Sequence, residues 1–83
     1  MKRIGFIWIV LKTKEHVSEV NKLLSQFSDI IIGRMGVPDK ESGISTISVI
    51  VKGTNEEVSA LTGRLGTLSD VYVKSALTSM EVL

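Results

Sequence analysis

Arg34 is the residue of this chain best suited to binding chemistry, because it is the one charge in the apolar segment Ile30 to Pro38 (IIIGRMGVP) and has Gly33 and Gly36 beside it. A guanidinium is a planar, permanently charged fork that matches carboxylates and phosphates. Glycine weakens a strand, so two of them around one arginine point to a bend, a close backbone approach, or a contact with a ligand or subunit. An arginine on an edge strand also discourages uncontrolled pairing with another chain. The residues alone leave these alternatives open.

Other chemistry is poorly supplied. His16 is the only histidine and there is no cysteine, so one chain lacks the ligands of an imidazole or thiolate metal centre, and none is expected. His16 reads as a solvated residue in the first turn of a charged helix. No serine lies in a Gly-x-Ser-x-Gly setting, and no catalytic residue is assigned. The adjacent Glu56 and Glu57 follow Thr54 at the start of a helical pattern, where capping accounts for acidic residues. Gly63-Arg64-Leu65-Gly66 matches no phosphate-cradling turn, since it does not lead from a strand into a helix.

The elements that would position these residues can be read from hydropathy. Arg3 to Lys12 is a continuous run of apolar, β-branched and aromatic residues, expected to be a central strand covered on both faces. Thr13 is placed to cap a helix whose apolar positions are Val17, Val20, Leu24 and Phe27. The glycine-arginine strand follows and ends at Pro38. Asp39 to Gly43 has the composition of a hairpin loop. Ile44 to Lys52 alternates, with Ile47, Val49 and Val51 on one face and Thr46, Ser48 and Ile50 on the other. Thr54 and Glu57 form a capping box for a second helix with Val58, Leu61, Leu65 and Leu68 as its buried stripe. Gly63 and Gly66 imply tight packing or an early helix stop. A last strand runs from Val71 to about Thr78.

The order β-α-β-β-α-β predicts an α+β, ferredoxin-like sandwich: a four-stranded antiparallel sheet with both helices on one face. The first and third strands are then central, and the glycine-arginine strand lies at an edge. Eighty-three residues make one domain, residues 1–83. A hydrophobic content of 43% exceeds what so small an interior hides, so part of it is expected to meet another subunit. The formal charge of +1 gives no field for nonspecific nucleic-acid binding. Trp8 reads as a core or interface residue rather than a base-stacking platform, because the third strand adds no aromatic beside it. The apolar run Ile4 to Leu11 is too short to span a membrane, and the absence of cysteine fits a cytoplasmic location.

Several segments in order carry a resemblance: Ile32-Gly33-Arg34-Met35-Gly36 with Pro38, Gly43-Ile44-Ser45 with Ile47-Ser48, Gly53-Thr54-Asn55, Ala60 to Gly66, and Val73-Lys74-Ser75. Together they resemble the small ACT-like family named as regulators of the iron-only hydrogenase system. That family is similar in fold to ACT domains and to the C-terminal domain of the nickel-responsive repressor, which are oligomeric and bind small effectors near subunit boundaries. The resemblance implies a non-enzymatic regulatory domain, a homodimer or homotetramer, that acts through a small-molecule effector or a partner protein. Gly33, Arg34 and Gly36 are the expected contact residues, and no cofactor can be named. Two departures bear on the wider relatives. The histidine and cysteine set of the nickel domain is missing, and Leu11-Lys12-Thr13-Lys14 has no glycine where amino-acid-binding ACT domains usually carry one. Direct DNA binding is not expected, since no helix-turn-helix or basic arm accompanies the domain. The alternative is a structural oligomerisation module without a ligand.

Overall fold

A computed structural model describes residues 1–82. The chain order is β1 (Lys2–Leu11), α1 (Val17–Gln26), β2 (Ile31–Pro38), β3 (Ser45–Gly53), α2 (Asn55–Gly66) and β4 (Val71–Val82), with a single 3₁₀ turn at Ser28–Ile30 between α1 and β2. All pairings are antiparallel and the sheet order is β2-β3-β1-β4, the ferredoxin-like arrangement expected from the element order. β1 and β3 are central, and β2 is an edge.

The core lies between the sheet and the two helices. Ile7, Ile9 and Leu11 of β1 alternate inward with Ile47, Val49 and Val51 of β3, and meet Val20 and Leu24 of α1 and Val58, Leu61 and Leu65 of α2. Each such side chain contributes about 1.5–3 kcal/mol on burial, which is what holds two short helices that would be marginal alone. α2 begins with the capping box read from its sequence: the Glu57 amide donates to Thr54 Oγ1 at 3.1 Å, and the Thr54 amide donates to Glu57 Oε1 at 2.9 Å.

Four local expectations need correction. Thr13 does not cap α1; it accepts from the Glu15 amide at 3.3 Å within the preceding turn, and the helix starts only at Val17. β1 is not covered on both faces within one chain, because the helices pack on the Ile7 side alone and leave Phe6 and Trp8 exposed. β4 runs past Thr78 to Val82, since three residues of β4 loop out opposite Ile4 and pairing resumes at Arg3 and Glu81. The Thr78 hydroxyl pins that irregularity by donating to the Ile4 carbonyl at 2.7 Å. Gly63 is not a close-packing residue, since a Cβ there would meet nothing within 4 Å.

Candidate functional site

β2 is positioned by its pairing with β3, and one irregularity decides where its side chains go. Ile31 pairs with Val51 but Gly33 pairs with Ile50, so β2 holds one residue more than β3 across this step. A one-residue bulge reverses the alternation of every residue that follows it. Arg34 therefore lies opposite inward-facing Val49 and Gly36 opposite inward-facing Ile47, both on the helix side of the sheet. Gly33 lies opposite Ile50 on the other side. The structure thus brings two of the three candidate residues together and separates the third.

On the helix side, the Arg34 Nη2 donates to Asn21 Oδ1 of α1 at 2.8 Å. This bond spans the gap between the edge strand and the helix. On one flank of it is a concavity of about 280 Å³ lined by Val17, Asn21, Arg34, Gly36, Pro38 and Ile47 among others. On the other flank is a smaller one of about 180 Å³, reached by Leu24, Ser25, Ser28, Ile31 and Arg34. A Cβ added at Gly36 would meet nothing within 4 Å, so this glycine widens the first concavity rather than admitting another part of the same chain. The cleft can take a small anion-bearing molecule: the remaining guanidinium N–H groups and the Asn21 amide N–H groups are donors, Ser45 and Thr46 also line the larger concavity, and the rest of its wall is mostly apolar.

His16 is not the solvated residue its sequence position suggests. Its side chain is only 19% exposed, its Nε2 is 3.1 Å from Ser69 Oγ, and its Nδ1 is buried with no hydrogen-bond partner. Glu19 Oε2 is 3.8 Å from that Nδ1, too long for the bond that orients a catalytic imidazole. The contact ties the turn before α1 to the loop before β4. Among the described residues, no cluster of histidine, cysteine or carboxylate groups could hold a metal ion. The Glu57 carboxyl is held below its ordinary value, first by the Thr54 amide donating to it, against a raising effect of desolvation. That is capping chemistry and not catalytic tuning.

Asn21 and Gly5 carry weight that the sequence did not disclose. Asn21 looks like one polar residue among several on α1 until tertiary structure sets it against Arg34. Gly5 is where backbones do approach closely: a Cβ there would fall 2.5 Å from the Ala76 carbonyl oxygen and 2.5 Å from Leu77 Cδ2. A glycine within an apolar central strand was the available signal.

Residues 3–75 match a family described as "TM1266-like: Iron-only hydrogenase system regulator, putative". The structure is similar to that of the uncharacterised protein TM1266 from Thermotoga maritima, with 35% identity and a TM-score of 0.89, covering 95% of this chain and 100% of that one. It shares its fold with the ACT domain of the GTP pyrophosphokinase of Chlorobium tepidum, at 19% identity and a TM-score of 0.75, covering 92% and 100% of the two chains. The C-terminal domain of the MgtC protein from Mycobacterium tuberculosis has the same fold at 14% identity and a TM-score of 0.72, covering 92% and 87%. No curated protein matches the sequence at a significant level.

Proposed function

The chain belongs to the TM1266-like family of iron-only hydrogenase system regulators, and from that premise we propose that it is a non-enzymatic, self-associating regulatory domain whose effector is a small anionic molecule. The effector occupies the cleft between β2 and α1, with Arg34 as its charge partner and Gly36 as the opening in the wall. The observation that carries this reading is the Arg34 to Asn21 bond, which holds a guanidinium across an open cleft instead of against a carboxylate of the same chain. Effector binding acts by linkage: a ligand that prefers one assembly state stabilises that state by its difference in affinity between the two. Gly33, on the far side of the sheet, belongs to the subunit contact rather than to the effector contact.

Thermal-shift screening against amino acids, nucleotides and inorganic phosphate tests it. A ligand at about 100 times its Kd adds about 2.7 kcal/mol, which raises the Tm of so small a domain by roughly 10–20 °C. Arg34→Ala should abolish that shift while leaving the unliganded Tm nearly unchanged. A ligand that shifts wild type and Arg34→Ala equally would remove Arg34 from the site. The second reading, a structural module without a ligand, is favoured by the exposed apolar face of the sheet, which points to assembly and needs no effector.

A further inference from the structure

The sheet has a face the helices do not touch, and its side chains are those of a core. Strand registers place them in rows: Val37, Thr46, Val10 and Tyr72; then Met35, Ser48, Trp8 and Lys74; then Gly33, Ile50, Phe6 and Ala76. Phe6 and Trp8 are stacked with centroids 5.8 Å apart and form a ridge along β1. Beside that ridge on β3 lie two small residues, Thr46 and Ser48, which form a trough; on β4 only Ala76 is small, since Tyr72 and Lys74 stand beside Val10 and Trp8. Val10 is partly covered, and the exposed large apolar residues on this face run from 38% for Phe6 to 63% for Met35.

We infer that this face is the self-association surface, covered by the same face of a second copy across a two-fold axis. The inference rests on the homo-oligomer proposed above and deepens it by naming the surface. The area fits. Taking each large side chain at about 150–250 Å², the exposed fractions of Phe6, Trp8, Met35, Val37, Ile50 and Tyr72 amount to roughly 450–750 Å² of mostly apolar surface. A standard interface takes about 800 Å² from each partner, of which about 65% is apolar in homodimers, so this face supplies the apolar part of one side.

The shape fits too. A two-fold contact must be complementary to itself, and a ridge with a trough beside it meets that condition when one copy's ridge lies in the other's trough. By strand register the cations on this face are Lys2 and Lys52, at the end of the sheet beside Ile4, and Lys74, on edge strand β4, so all fall at the rim. Three lysines at the rim do not make a basic track across the aromatics for a phosphate backbone, which favours a second copy over single-stranded nucleic acid.

Light scattering coupled to gel filtration on the full chain, with fluorescence of the only tryptophan, provides the test. Wild type should run at twice the 9.1 kDa chain mass or a multiple of that. Its emission should move to shorter wavelength as concentration rises and Trp8 leaves water. Trp8→Glu and, separately, Ile50→Glu should halve the mass while keeping the far-ultraviolet dichroism of the folded chain, and Lys22→Ala, exposed on α1, should leave the mass unchanged. A wild type that stays monomeric at high micromolar concentration overturns both this surface and the assembly proposed above. An oligomer that survives both glutamate substitutions overturns this surface alone and moves the contact to the strand edges. Wild type that dissociates on binding a dT oligonucleotide, with quenching of Trp8, also overturns it by giving the face to nucleic acid.

Discussion

Gly5→Ala tests the glycine at which an added methyl would be most crowded. The added methyl would lie 2.5 Å from a backbone carbonyl oxygen, that of Ala76, and 2.5 Å from Leu77 Cδ2. Leu77 can rotate, but the carbonyl cannot move without shifting the β1–β4 pairing at the point where β4 loops out. Forcing a methyl into such a space costs about 1–3 kcal/mol, whereas replacing glycine within a strand returns roughly 0.5–1 kcal/mol. The clash wins, with a net loss of about 1–2 kcal/mol. For a domain of this length each kcal/mol moves Tm by roughly 4–8 °C, so the variant should melt about 5–15 °C lower and show a lower urea midpoint at unchanged slope. Thermal and urea unfolding followed by circular dichroism measure both. A variant as stable as wild type would show that β4 yields easily here, and would refute the claim that Gly5 sets the β1–β4 spacing.

The opposite sign is expected at Gly63, in the interior of α2 with open space where a methyl would go: Gly63→Ala should stabilise by about 0.5–1 kcal/mol in the same urea assay. Thr54→Ala removes the hydroxyl that accepts from the Glu57 amide and should cost about 1 kcal/mol in the urea midpoint. Glu57 gives a pH signature. Its carboxyl titrates below the ordinary 4.5, so its stabilising effect is complete above that value and is lost as pH falls through the lowered one. Glu57→Gln should flatten that part of the acid limb of a Tm-against-pH curve, and an unchanged limb would mean that the capping bond does not depend on charge.

What was legible in the sequence was whatever depends on near neighbours. The capping box at Thr54 and Glu57 is a spacing of three, and the inward set Ile47, Val49 and Val51 is a spacing of two, so both could be read directly. The edge position of β2 followed from element order alone. The facing of Arg34 did not, because the bulge falls between Ile31 and Gly33 and nothing in the local pattern marks Ile32 as the extra residue. The burial of His16 against Ser69 and the bond from Arg34 to Asn21 join residues far apart in the chain, and no local pattern reports such contacts. The long apolar run of β1 described a strand buried on two sides, while one chain buries one of them. The open side is itself information about assembly.

The irregularity at the start of β2 has a bearing on how variants of this segment are to be compared. Ile31 and Arg34 are an odd number of positions apart yet both lie opposite inward-facing residues, because Ile32 stands between them without a partner on β3. Deleting Ile32 would let Ile31 opposite Val51 run straight on to Gly33 opposite Ile50, so Arg34 and Gly36 would keep the helix side and only the local bend would be lost. A length change of one residue at this point is absorbed by the bulge, whereas one placed between Arg34 and Gly36 would send one of the two to the open face. Chains that share these four letters therefore keep the cleft with either count of residues before them.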